Sequence, residues 1–170
     1  AQQVEIGNDI SEVVGRLGLY TVTVLSGLLF HGFVTLPLSV KFLGRANPIK
    51  HFRNMATPLL TAFSTSSSNA TLPLTMEAVE DKDGVSNKIA SFTLPLGATI
   101  NMNGTALYEC VAVLFIAQAY GIELTFGKQL VVVFTALLAA IGSAGIPMAG
   151  LVMMAVVLKA VGLPLEGIGL

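Results

Sequence analysis

The sequence predicts an all-α membrane protein made of transmembrane helices, two re-entrant helical hairpins and one helix broken near its middle. Three observations carry that reading. Only 11% of the 170 residues are charged and the mean hydropathy is +0.78, whereas a soluble domain carries about 25% charged residues. The few charges divide the chain into long apolar blocks. All but the first of those blocks are interrupted near the centre by glycine, proline, serine or asparagine.

Composition also removes several function classes. A net charge of −1 with no basic stripe gives no nucleic-acid surface. The single Cys110 forms no internal disulfide, and His31, His51 and Cys110 lack metal-ligand spacing. No triad or paired-carboxylate arrangement stands out, so an enzyme is not expected. The chain begins at Ala1 without a signal-peptide pattern, and the expectation is a piece of something longer.

The first block, 17–40, runs 24 uncharged residues between Arg16 and Lys41. A helix of that length is about 36 Å long and crosses a hydrocarbon core of roughly 30 Å with some tilt. His31 within it is a candidate intramembrane titratable group, although a histidine facing a neighbouring helix is the favoured reading. The following stretch holds Lys41, Arg45, Lys50 and Arg53 with no acid. Such a short basic loop is expected on the cytoplasmic side.

Residues 54–76 carry no charge and centre on a serine run. Each flank is about ten residues, too short to span, which fits a re-entrant hairpin. Serine runs are usually linkers, but Pro73 and the apolar flanks favour a tip. The cluster from Glu77 to Asp83 reads as a solvated turn. Twenty residues then separate Lys88 from Glu109, and their middle, "GATINMNGT", is rich in glycine and asparagine. Both weaken a helix, so the span is expected to break there and continue to Tyr120. Tyr108 and Phe115 on it read as packing residues. The thirty uncharged residues 129–158 contain "GSAGIPMAG"; glycine and proline there favour two half-helices meeting at a tip. Glycine packing between helices is the plainer alternative for this stretch, and the two roles are compatible.

Paired interrupted segments are the pattern by which secondary transporters build a midplane site. Half-helix N-termini suit anions, and unwound carbonyls and amide oxygens suit a cation such as Na⁺. The sequons at Asn69 and Asn103 fall at membrane depth, and residues 121–128 miss the phosphate-loop spacing.

"TSSSNATLP" (65–73), "LPLGATINMNGTALYE" (94–109), "FIAQ" (115–118) and "GSAGIPMAG" (142–150) resemble, in order and spacing, the glutamate transporter family of dicarboxylate/amino acid:cation symporters. That resemblance implies a partial glutamate-transporter-like fold: a transmembrane helix over 8–44, a first re-entrant hairpin over 46–84, a broken helix over 86–121 and a second hairpin over 126–161. The N-terminal scaffold, through which family members form homotrimers, and the final helix are expected to lie outside this chain. A transport-domain fragment unable to transport alone is therefore expected.

By motif position the resemblance assigns substrate contacts to Ser66, Ser67 and Ser68, to Thr105, and to backbone groups of Gly145 and Ile146 in an outer gate. Ser67 is implied nearest the substrate α-carboxylate. Sodium sites would draw on Gly97, Thr99, Asn101, Met102, Asn103, Ala140, Ile141 and Ser143. Asn103 stands where the family usually has aspartate, which puts one sodium site in doubt. Thr65 stands where some prokaryotic relatives have arginine. Glu109, as in proton-coupled members, would carry a proton, since a buried carboxylate is costly when charged. The implied function is symport of an acidic amino acid or C4-dicarboxylate with Na⁺ and/or H⁺, across a bacterial inner or plasma membrane, with no other cofactor. A membrane interaction fragment without transport activity is the alternative.

Overall fold

The computed structural model describes residues 10–143 and 149–169. All regular structure among them is helical. The chain divides into two compact units, which among the described residues comprise 10–29, 103–140 and 150–169 in the first, and 30–102 with 141–143 and 149 in the second.

In the first unit the core is built from α7 (Asn103–Ala119), α8 (Phe126–Gly142) and α9 (Ala149–Val161). Ala112, Val113, Ile116 and Ala117 of α7 form one stripe at helical spacing; so do Val132, Ala136 and Ala139 of α8, and Met154, Val157, Leu158 and Val161 of α9. The alanines let the backbones approach closely. The opposite faces are apolar as well: Val133, Phe134 and Leu138 are exposed. A soluble helix would be polar there, so this surface suits lipid or partner helices. Helix α1 (Ile10–Phe30) lies on α7, with Tyr20 against Phe115 at 5.1 Å between ring centroids. This agrees with reading Phe115 as a packing residue. Gly121 and Gly162, both at positive φ, follow the ends of α7 and α9. In each the next amide donates back to the helix, Ile122 N to Ala117 O and Leu163 N to Leu158 O, which satisfies end carbonyls.

The second unit begins where the expected straight first helix deviates. A π-helical turn, His31–Thr35, separates α1 from α2 (Leu36–Phe42). Pro37 explains it: proline lacks an N–H, and its ring would strike the carbonyl four residues back, at Phe33, so the turn widens. The basic stretch expected as a loop contains a short helix, α3 (Pro48–Asn54), whose first turn is capped by Asn47 accepting from Lys50 N at 3.2 Å. Helix α4 (Ala56–Thr65) packs on α5 (Ser68–Asp81), and α5 packs on α6 (Asn87–Ile100). Among the described residues, two stretches are long and apolar enough to cross a membrane, Val14–Phe42 and Asn87–Ala119. Helices α4 and α5, at 10 and 14 residues, reach only about 15 and 21 Å.

Candidate functional site

The serine tip joins α4 to α5. Ser66 takes a left-handed conformation (φ 50°, ψ 30°) that ends α4, and extended Ser67 starts α5. Ser67 is buried and its hydroxyl accepts from Ala70 N at 3.3 Å, capping the helix. Thr71, also buried, donates its hydroxyl to Ser67 O at 2.9 Å. Thr65 donates to Thr61 O at 2.8 Å, and Ser64 to Leu60 O at 2.9 Å. These back-bonded hydroxyls need no water, so a polar tip can sit in apolar surroundings. Ser66 and Ser68 are exposed at the positive end of α5, which is a fitting place for a carboxylate.

The predicted break falls between α6 and α7. Asn101 leaves helical geometry (φ −89°, ψ 68°) with its amide bonded to Gly97 O. Met102 N donates to Ile100 O at 3.1 Å. Gly97, Thr99, Asn101 and Met102 thus share the last turn of α6 and the break, and Thr99 donates to Pro95 O at 3.3 Å. Ser143, 1% exposed, lies against this break, its hydroxyl reaching Met102 Sδ at 3.3 Å. Two of the predicted sodium residues, 41 positions apart, are therefore in direct contact. Among the described residues no group of three or more His, Cys, Asp or Glu could hold a metal ion. A cation at this helix end would be held by carbonyl, hydroxyl and amide oxygens, which suit a hard monovalent ion, with the dipole of α6 favouring positive charge. Ile141, next to last in α8, is in the same unit, whereas Asn103 and Ala140 belong to the first unit. Gly145 and Ile146 lie outside the described residues.

In the first unit Thr105 and Glu109 are one turn apart on the face of α7 that meets α9. A Cβ on Gly150 would lie 3.0 Å from Thr105 Cγ2 and 3.8 Å from Glu109 Oε1. Glu109 is 0% exposed, and neither of its carboxyl oxygens has a hydrogen-bond partner. An unpaired buried carboxylate is costly when charged, so this position favours a neutral carboxyl or a neutralising partner. Sequence reading did not single out Gly150, although "GSAGIPMAG" ends on it.

The cluster expected to be a solvated turn is only partly so. Asp83 Oδ2 lies 2.6 Å from His51 Nδ1, and Asn54 Nδ2 donates to Asp83 Oδ1 at 2.6 Å and to Lys82 O at 3.1 Å. These bonds clasp the two ends of the α4–α5 hairpin together. Partial burial of Asp83 would raise its pKa, but the hydrogen bonds from Asn54 and His51 and the positive charges of His51 and Lys50 outweigh it and hold the carboxyl below its ordinary value. The pairing joins residues about thirty positions apart, and no local signal announced it.

The described residues, all-helical in their regular structure, with a polar helix–turn–helix tip, a helix break and apolar outer faces, have the character of an all-α membrane protein. The chain belongs to the sodium:dicarboxylate symporter family, whose model matches residues 4–170. It is 51% identical over 164 residues to glt-4 of Caenorhabditis elegans, described as a sodium-dependent excitatory amino acid transporter, covering 96% of this chain and 33% of that protein. It is 52% identical over 159 residues to excitatory amino acid transporter 3 of Mus musculus, covering 94% of this chain and 30% of the relative. Excitatory amino acid transporter 1 of Homo sapiens is 49% identical over 162 residues, 95% of this chain and 30% of the relative. The chain thus spans about a third of the length of these relatives.

Proposed function

We propose that this chain is part of the transport domain of a secondary symporter that moves an acidic amino acid, or a C4-dicarboxylate, with Na⁺. The observation that carries the reading is the helix break at Asn101–Met102 with Ser143 seated on Met102. Family membership and relatives named as excitatory amino acid transporters support it. In this reading α4 and α5 are the arms of a re-entrant hairpin over 46–84, and 126–161 forms a second whose tip, with Gly145 and Ile146, gates the site. Ser66, Ser67 and Ser68 receive the α-carboxylate at the positive end of α5. Thr105 contacts the side-chain carboxylate. Gly97, Thr99, Asn101 and Met102, with Asn103, Ala140, Ile141 and Ser143, furnish sodium ligands. The amide of Asn103 offers an oxygen without charge, so any ion there is held more weakly than by aspartate. Glu109 crosses the membrane protonated with substrate and releases the proton inside.

The protein sits as a multi-pass chain in the cell membrane, as a homotrimer when full length. A segment that only binds partner helices would have no use for an oxygen-lined break, so that alternative is not favoured. Equilibrium binding of radiolabelled aspartate to the full-length protein tests the sodium coupling. Binding should require Na⁺ and vanish when choline replaces it; equal binding in both salts would refute the proposal. For the proton, Glu109→Gln should flatten the dependence of uptake on pH across about pH 5 to 8. An unchanged profile would remove Glu109 from that role.

A further inference from the structure

The first unit contains a groove between α1 and α7 that the proposed transport cycle does not use. Arg16, Leu19 and Tyr20 line it from α1, and Leu114, Phe115 and Gln118 from α7, around a volume of about 540 Å³. The two helices run antiparallel, because Tyr20 meets Phe115 while Gly27, further along α1, lies against Leu107, further back on α7. Arg16 and Gln118 therefore share one end, and leucine and aromatic side chains continue inward from them. Arg16 also marks the edge of the apolar block 17–40. The polar end thus lies where headgroups lie, and the apolar length lies at acyl-chain depth.

A second cavity of about 490 Å³ adjoins this end. It shares Leu114 and Gln118 with the groove and adds Glu123 and Gln129. Positive, neutral polar and negative groups thus follow one another around Gln118. That order complements a zwitterionic headgroup and opposes one with a net negative charge. A guanidinium binds phosphate oxygens with paired N–H donors and has five of them, enough to serve a phosphate beside any protein contact. A carboxylate and an amide oxygen accept from a primary ammonium, whereas a quaternary ammonium has no proton to donate.

We infer that this groove holds a phospholipid with a primary-amine headgroup, its phosphate on Arg16, its ammonium towards Gln118 and Glu123, and one acyl chain along Leu19, Leu114 and Phe115. The inference depends on a bilayer around the protein and not on transport, so lipid retention and solute uptake can fail separately.

Native mass spectrometry of the full-length protein tests it, with phosphatidylethanolamine, phosphatidylcholine and phosphatidylglycerol offered in equal amounts. Phosphatidylethanolamine should be retained preferentially. Arg16→Gln should lower its retention about tenfold, the factor expected for a lost charge-assisted contact. Glu123→Gln should bring phosphatidylglycerol level with it. Leu114→Trp should fill the groove and displace the lipid while Arg16 is intact. Lys159→Gln, a lost cation in the same unit away from the groove, should change nothing. Equal retention of all three lipids, or full retention by Arg16→Gln, would overturn the inference. So would a wild-type protein that holds no lipid, since another segment of the full-length chain would then fill the groove.

Discussion

Glu109 sits one turn beyond Thr105 on α7, and Gly150 of α9 leaves both of them room. A side chain at position 150 would press on Thr105 Cγ2 from 3.0 Å, so Gly150→Val should destabilise the unit by about 1–3 kcal/mol, the usual cost of overpacking; thermal unfolding in detergent reads this. Thr105→Ala removes a hydroxyl and fills no space. It should lower affinity for aspartate about tenfold or more and leave neutral amino acids little affected, as competition for binding would show. Asp83 adds a pH dependence with a definite sign. Its carboxyl is held below its ordinary value, so the clasp with Asn54 and His51 contributes stability above an unfolded value of about 4. That contribution fades as pH falls through the lower folded value. The melting-temperature gap between wild type and Asp83→Asn should be widest near neutrality and close in acid.

At the scale of elements, the tip of the α4–α5 hairpin rests on a few short-range bonds. Ser67→Ala removes the cap that accepts from Ala70 N and should cost about 0.5–2 kcal/mol, with substrate affinity falling because the start of α5 frays. Restoration by Ser67→Asn, another good cap, would separate capping from substrate contact. Much of this element was legible in sequence: flanks too short to span, serines between them, and Pro73 after them. The break at Asn101 was legible for a related reason, since glycine and asparagine concentrate there. What escaped was one local distortion and the contacts set by distant partners. The π turn at His31–Thr35 follows from Pro37 inside an otherwise ideal span. The clasp of His51 and Asn54 on Asp83 joins the far ends of a hairpin, and a buried Ser143 on Met102 became specific only through the motif resemblance.

Across the whole molecule, apolar side chains face outward in both units, as Leu19, Phe134 and Leu138 do in the first and Phe33, Leu60 and Phe63 in the second. The buried polar groups are few: Ser67, Thr71, Glu109 and Ser143 among the described residues. That inversion of the soluble pattern leaves polarity where ions and an anionic solute would be handled. Under the proposed function these groups serve sodium-driven symport of an acidic amino acid. Its most direct test is uptake of radiolabelled aspartate by liposomes containing the full-length protein, with an inward Na⁺ gradient imposed or absent. Accumulation above the equilibrium level only when the gradient is present is the predicted result. Uptake that merely equilibrates, at the same rate with or without Na⁺, would contradict the account.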